Sequence, residues 1–184
     1  LKSVFSRLTA ADENERSIVL ATNAGGRSVQ RSLNDARRNA GSRASILTAE
    51  SPGRGEDVSS IDDISDLTQV GMKFSTLVAT SQQSTARFRS GIFLCSTIAS
   101  EVDDTRSVFR FLNSNFLTEL RRGDGIGVVA IDRSADLETN VDSMISGMET
   151  SFKARIDVEK TGYNEATLNI SGISGSDGTV DIEL

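Results

Sequence analysis

The chain has 184 residues and a formal net charge of −6 at pH 7, with 20 Lys and Arg against 26 Asp and Glu. This length suits one domain with a sizeable core, and the acidic balance argues against nucleic acid as a partner, because phosphate backbones are bound by basic faces. The chain has no His and a single cysteine, Cys95, which excludes His-based triads, His metal sites and an internal disulfide.

Short apolar runs alternate with stretches of helical character along the first 150 residues. The runs are too short for helices, and their continuous apolar character predicts strands buried on both faces. In chain order the predicted elements are strand 18–22, helix 28–40, strand 44–48, helix 66–82, strand 91–95, helix 105–122, strand 126–131 and helix 137–148. This alternation predicts an α/β fold with a mainly parallel sheet flanked by helices.

The boundaries of these elements have their own signals. Gly41 is placed to end the first helix. Ser51-Pro52-Gly53 breaks the second strand, and residues 54–60 are expected to form a mobile loop. The helix over residues 105–122 carries a Phe-rich stripe, which fits either a core face or an interface with another protomer.

The pattern changes after residue 150. Phe152, Ala154, Ile156 and Val158 alternate strictly with charged residues, and the same alternation returns at residues 166–170 and 180–184. Such alternation predicts antiparallel strands with one solvated face. We therefore predict a single domain over residues 1–184, with β-α units in 1–150 and an antiparallel β extension in 151–184.

The loop after the first predicted strand reads Ala21-Thr22-Asn23-Ala24-Gly25-Gly26-Arg27-Ser28. A P-loop has the pattern G-x-x-x-x-G-K-[ST] between a buried strand and a helix, with a Lys for the phosphates and a hydroxyl for Mg²⁺. Here Ala21 takes the first Gly position, Gly26 the second, Arg27 replaces the Lys, and Ser28 keeps the hydroxyl. Three interpretations are open: a Gly-Gly turn with an incidental Arg, a degenerate P-loop, and a working P-loop.

Further segments carry a resemblance in the right order. Residues 48–52, Thr-Ala-Glu-Ser-Pro, resemble an E-E-S-P segment, and residues 66–72 resemble a D-L-T-x-L-G-I helix opening. Residues 93–98 resemble a Walker B strand followed by D-S-L-T, and residues 108–112 and 127–131 resemble the next helix and strand. With the loop, they make the chain similar to KaiC-like domains of the RecA superfamily. The chain uses Arg in preference to Lys, and in this it resembles proteins of salt-loving archaea. Within the KaiC-like domains, the chain is therefore most similar to the divergent ones of these archaea.

The resemblance implies a RecA-like fold, and three departures from it imply lost ATP chemistry. Arg27 replaces the phosphate-loop Lys, Ala49 replaces one catalytic Glu, and Cys95 falls on the magnesium-binding Asp. A planar guanidinium is a poor substitute for a compact ammonium, and a thiol cannot replace a hard oxygen ligand. The expected protein is a pseudo-ATPase without cofactor or metal, acting as a regulatory or signalling interaction module.

The alternative is a nucleotide-binding switch or weak ATPase in which Arg27, Ser28 and Glu50 hold Mg-ATP in an atypical P-loop. Glu50 fits either a general base or a solvated loop acid, and Cys95 either a redox-active or a buried inert thiol. The cluster Arg27, Arg31, Arg37 and Arg38 fits either a solvated helix face or an anion or partner patch.

The expected partners are another protein or a second copy of the chain. We expect neither a membrane nor a nucleic acid as partner, because no apolar run is long enough to span a bilayer and the net charge is acidic. No signal-peptide pattern opens the sequence, and the lone cysteine suits a reducing interior, so we expect a cytoplasmic location.

Overall fold

The computed structural model describes residues 1–50, 57–135, 137 and 140–184. These residues belong to two compact units, residues 2–138 and residues 139–184 together with Leu1. Each unit has its own β-sheet. The prediction of a single domain over residues 1–184 stays a prediction.

The larger unit alternates strands and helices from its first residues. In chain order it contains α1 (Lys2–Thr9), β1 (Glu15–Ala21), α2 (Gly26–Ala36), a 3₁₀ turn (Gly41–Arg43), β2 (Ala44–Thr48), β3 (Val58–Ser60), α3 (Leu67–Gln82), β4 (Arg87–Phe93), α4 (Cys95–Glu101), α5 (Thr105–Phe111), a π-helical turn (Leu112–Phe116), α6 (Leu117–Arg122) and β5 (Ile126–Val129).

The five strands form one parallel sheet in the order β3-β2-β1-β4-β5. In β1 the last five residues are buried, and in β2 all five are, as expected for strands covered on both faces. Because the chain winds from β1 through β2 to β3 on one side and continues with β4 on the other, the sheet has a topological switch point between β1 and β4. In such sheets the crevice outside the carboxyl ends of these two strands is where ligands bind.

Helices cover both faces of this sheet. On one face α1 packs on α2, β1, β4 and β5, and the residues buried there include Phe5, Val19, Leu33 and Phe93. On the opposite face α3 packs on β1, β2 and β4, and α6 on β5. Gly91 marks the closest approach on the first face, because a Cβ there would overlap the side chains of Phe5 and Thr9.

The predicted helix 105–122 is present but contains a π-helical turn. The turn keeps Phe116 fully buried, where its ring centroid lies 5.5 Å from that of Phe74 in α3. Val108 and Phe111 are also buried. Of the two interpretations of the Phe-rich helix, these residues support the core face.

Two boundary predictions were wrong. Gly41 does not end α2, which stops at Ala36 with Arg37 in an extended conformation. Gly41 is needed for a close approach instead, since a Cβ there would overlap the carbonyl oxygen of Gln30. In the loop predicted over 54–60, residues 58–60 form β3, while residues 54–56 and the Ser51-Pro52-Gly53 break lie outside the described residues.

The third and fourth predicted strands are both shifted in the structure. The third runs over β4 and ends at Phe93, so Cys95 opens α4 instead of closing the strand. The fourth ends at Val129, two residues earlier than predicted.

The smaller unit contains α7 (Val141–Glu149), β6 (Arg155–Lys160), β7 (Glu165–Ser171) and β8 (Gly178–Glu183). Its three strands are antiparallel in the order β6-β7-β8. Val158 pairs with Leu168, which pairs in turn with Val180, so one face of this sheet is apolar and the other polar. The predicted antiparallel strands after a mainly parallel, helix-flanked sheet are therefore confirmed.

Candidate functional site

The candidate site lies at the carboxyl end of β1, where the P-loop-like segment falls. Ala21 is the last residue of β1 and is fully buried, and Gly26 is the first residue of α2. Arg27 and Ser28 follow in the first turn of the helix and are exposed. The segment therefore connects a buried strand to a helix N-terminus, as a phosphate loop does.

The backbone of this loop lacks one feature of a phosphate cradle. A nest for an anion is built where residues alternate between right-handed and left-handed conformations, so that successive N–H groups converge. None of the residues 21–28 has a positive φ, and Gly25 is extended with φ −67° and ψ 152°. The loop therefore contains no nest of this alternating type.

Thr22 continues the pairing of β1 with β4 beyond the last paired residues, Ala21 and Phe93. Its hydroxyl lies 2.9 Å from the carbonyl oxygen of Phe93 and 3.1 Å from that of Leu94, and its backbone N–H donates to Phe93 as well. These bonds join the end of β1 to the end of β4 across the point where a ligand would enter. Thr22 is itself buried.

The Thr22 hydroxyl should contribute measurably to stability. We expect Thr22→Val to lower the free energy of unfolding by about 1–1.5 kcal/mol, because the variant loses the hydroxyl donor while keeping the side-chain shape. Thr22→Ser keeps the donor and is the control. Urea unfolding of the three proteins checks this, and a Val variant as stable as the wild type would show that the cross-strand bonds contribute nothing.

The last residue of β2 and the residue that follows it also hold the loop. The Thr48 hydroxyl donates to the carbonyl oxygen of Ala24 at 2.9 Å, and the Ala49 N–H donates to Ala21 at 3.2 Å. Glu50 is exposed, and its N–H donates to the Thr48 hydroxyl. The predicted site residues Ala49 and Glu50 therefore do lie beside the loop, with Ala49 bound to it through the backbone.

Cys95 lies at the first position of α4, directly after Leu94, which has a left-handed φ of 62°. Its N–H donates to the carbonyl oxygen of Ala130, and its side chain has no exposed area. Burial raises the pKa of the Cys95 thiol to about 12. Of the two interpretations of this cysteine, the structure supports the buried inert thiol.

Cys95 should therefore resist alkylation in the folded protein, because the thiolate is the reactive form. We expect iodoacetamide at pH 8 to modify it only after denaturation, with Cys95→Ala as the unreactive blank. Stability should also fall as the pH rises from about 9 towards 12, because the unfolded thiol releases its proton while the folded thiol keeps it. Cys95→Ala lacks this contribution. Rapid labelling of the native chain would contradict the burial.

The residues present do not fit a Mg²⁺ site. In the resembled motif the magnesium-binding Asp falls on Cys95, and in the structure this residue is a buried thiol, which is a poor ligand for a hard cation. Among the residues that the structure describes, no group of three or more His, Cys, Asp or Glu is placed to hold a metal ion.

A lysine that the sequence analysis did not single out lies at this loop. Lys2 of α1 donates from its Nζ to the Ser28 hydroxyl over 2.8 Å. The contact arises because α1 packs alongside α2. The contact between Lys2 and Ser28 could have been predicted only if α1 had been recognised as a helix. Its eight residues are too few to show a clear helical pattern in the sequence.

The four arginines predicted as one face are divided by the early end of α2. Arg27 and Arg31 are exposed on the helix. Arg37 and Arg38 lie beyond it, and Arg37 forms an ion pair with Asp12. The prediction of a single basic helix face was therefore wrong.

Comparison with known proteins agrees with this fold. A family model described as "Family of unknown function (DUF7504)" matches residues 2–158. The crystal structure of a KaiC-like protein from the hyperthermophilic archaeon Pyrococcus horikoshii OT3 is similar, with a TM-score of 0.52 and 10% sequence identity over 98% of this chain and 78% of that chain. At this identity the likeness concerns the fold, and it confirms the predicted RecA-like α/β class. No curated protein matches the chain.

Proposed function

The chain belongs to the DUF7504 family of unknown function, and we propose that it is a pseudo-ATPase, a KaiC-like domain that serves as a regulatory or signalling interaction module without ATP turnover. The observation that carries this proposal is the complete burial of the Cys95 thiol at the position where a magnesium-binding carboxylate is needed. Phosphoryl transfer relies on positioning and charge neutralisation by metal and cations. A chain without that ligand loses most of the rate.

The phosphate loop supports the same proposal. Arg27 is exposed and the loop backbone has no left-handed residue, and both observations support a loop that no longer binds a phosphate chain. The Thr22 hydroxyl is bonded to the carbonyl oxygens of Phe93 and Leu94 and is therefore not free for a ligand. Two surface pockets lie elsewhere in the unit, and no residue of 21–28 lines either one.

A folded domain that no longer turns over ATP can still bind other proteins through its surface. Under this proposal the retained architecture presents surfaces to another protein or to a second copy of the chain. Analytical ultracentrifugation over a concentration series separates the two cases, because only self-association raises the sedimentation coefficient of the purified chain with concentration.

A thermal-shift titration with ATP, with and without Mg²⁺, tests the loss of nucleotide binding. A ligand at a hundred times its Kd stabilises the folded state by about 2.7 kcal/mol, which for this size corresponds to a shift of about 5–10 °C. We expect no shift at millimolar ATP. The double variant Ala21→Gly with Arg27→Lys restores the P-loop sequence pattern. We expect no thermal shift with ATP in this variant either, because Cys95 and Thr22 are unchanged. A Mg²⁺-dependent shift in the wild type would overturn the proposal.

One observation favours a second candidate, a nucleotide-binding switch. The Lys2 ammonium lies 2.8 Å from the Ser28 hydroxyl, so a lysine cation is present at the loop although it comes from α1. In that case ATP stabilises the wild type, and Lys2→Gln abolishes the effect. The same titration therefore separates the two candidates.

A further inference from the structure

A pocket rich in arginine lies at the amino-terminal edge of the parallel sheet, at the end opposite to the phosphate loop. It is an open cavity of about 700 Å³. Four of the side chains that line it are guanidinium groups, those of Arg37, Arg38, Arg43 and Arg87. We call this the arginine pocket. Two of these residues, Arg37 and Arg38, belong to the arginine cluster for which the sequence left open a solvated helix face or an anion or partner patch.

The early end of α2 builds the first wall of the arginine pocket. Arg37 turns into an extended conformation with φ −155° and ψ 131°, and Asn39 takes a left-handed φ of 61°. Had the helix continued to residue 40, Arg37 and Arg38 would have stayed on its surface. Asn is, after glycine, among the residues that adopt this conformation most readily, and it is common just beyond a helix end.

Arg43 fixes the second wall. Its Nη2 donates to the carbonyl oxygen of Ala11 at 2.8 Å and to that of Arg38 at 3.4 Å, so one guanidinium joins the α1–β1 loop to the α2–β2 loop. Its Nε is buried and has no hydrogen-bond partner among the described residues. A buried donor without an acceptor is a position where a water or an ion is expected.

The carboxylates of the arginine pocket are largely committed to other arginines. Asp12 pairs with Arg37 and with Arg89, and Glu15 pairs with Arg89 at 2.6 Å. Glu13 is the third acid in the lining and is exposed. Asp12 and Glu15 are therefore engaged in ion pairs. The other charged groups of the lining are Glu13 and the guanidinium groups of Arg38, Arg43 and Arg87, so the lining remains net positive.

Arg38 and Arg87 are the guanidinium groups available to a ligand. Arg38 is exposed and makes no side-chain hydrogen bond to any residue that the structure describes. Arg87 faces Asp124 at 3.7 Å with both side chains mostly exposed, at 70% and 86%, and such a surface pair is weak. Each can exchange its present surroundings for a stronger acceptor.

We propose that the arginine pocket binds a small oxyanion, a carboxylate or phosphate compound, held by Arg38 and Arg87 with Arg43 behind them. The planar guanidinium fork matches both oxyanions, with two parallel N–H···O bonds to one group. The site is separate from the degenerate phosphate loop and does not depend on the pseudo-ATPase proposal.

Isothermal titration calorimetry with two probes, inorganic phosphate and citrate, at constant ionic strength tests this proposal. We expect saturable binding of at least one probe, and at least a tenfold loss of affinity in the double variant Arg38→Gln with Arg87→Gln. The matched control is Arg106→Gln with Arg110→Gln, which removes the same charge from exposed positions in α5. Binding of phosphate alone identifies a phosphate ligand, and binding of citrate alone a carboxylate ligand.

Two results would overturn the proposal. One is the absence of saturable binding of either probe by the folded wild type. The other is an equal loss of affinity in the double variant and its control, which would reduce binding to general charge. Since Arg87 is mostly exposed, Arg87→Gln alone keeps the fold and provides a second measurement if the double variant is unstable.

Discussion

Cys95→Asp, which restores the magnesium-binding residue of the resembled motif, is expected to destabilise the protein by about 3–5 kcal/mol instead of creating an ATPase. The side chain at this position has no exposed area, so a carboxylate there is either charged without a partner or protonated at a raised pKa. A loss of this size is a large fraction of the roughly 5–15 kcal/mol that typically stabilises a domain. Urea unfolding measures it directly.

Controls for Cys95→Asp separate burial from charge. Cys95→Ser places a smaller polar group in the same space and should cost about 1–3 kcal/mol. Ser100→Asp adds the same carboxylate to the same helix at an exposed position and should cost less than about 1 kcal/mol. A Cys95→Asp variant as stable as the wild type that gained Mg²⁺-dependent ATP binding would contradict both the burial and the pseudo-ATPase proposal.

Gly91→Ala is expected to lower the free energy of unfolding by about 2–3 kcal/mol, because the sheet has no space for another atom there. The added Cβ would overlap Phe5 Cζ and lie 2.7 Å from Phe5 Cε2 and from Thr9 Cγ2. Phe5 is also fixed by its ring contact with Phe93, at 5.1 Å between centroids. To accommodate the added atom, α1 must move away from β4. For a domain of this size, the midpoint of thermal unfolding should fall by about 2–4 °C for each kcal/mol lost.

A double-mutant cycle identifies the cause of this loss. Phe5→Leu removes the ring atoms that the new Cβ would meet, so Gly91→Ala should cost at least about 1 kcal/mol less in the Phe5→Leu background than in the wild type. Gly175→Ala provides a contrast with Gly91→Ala. At Gly175 the added Cβ strains the backbone because φ is 79°, but no atom lies within 4 Å of it, so the variant separates backbone strain from steric overlap. Additive losses in the cycle would exclude the overlap with Phe5.

The sequence predicted those elements whose burial leaves a pattern. β2 was placed at its observed bounds because five consecutive residues of it are buried, and the alternation in β6 and β7 predicted their antiparallel pairing. α1 was missed because its eight residues span little more than two turns. β3 was missed because its three residues, one Val and two Ser, show neither an apolar run nor alternation.

The sequence predicted where the site residues lie along the fold, but not the contacts that they make. Arg27 and Glu50 were placed beside a strand end from their motifs alone, and the structure puts both there. The burial of Cys95, the Thr22 bonds to β4 and the approach of Lys2 to Ser28 depend on which strand and helix become neighbours. Periodicity specifies what a segment forms but carries no information on strand order, so these contacts required the structure.

The position of β1 at the centre of the sheet has a consequence for how the chain folds. Its partner β4 comes much later, so that the Ser90 hydroxyl bonds the carbonyl oxygen of Ile18 across 72 residues. Contacts that close such long segments of chain are formed slowly, because the entropy of closure is lost before the pairing is gained. During synthesis one side of β1 therefore stays without a neighbour until β4 has left the ribosome, and that exposed edge is the point at which a nascent chain of this kind is most open to aggregation.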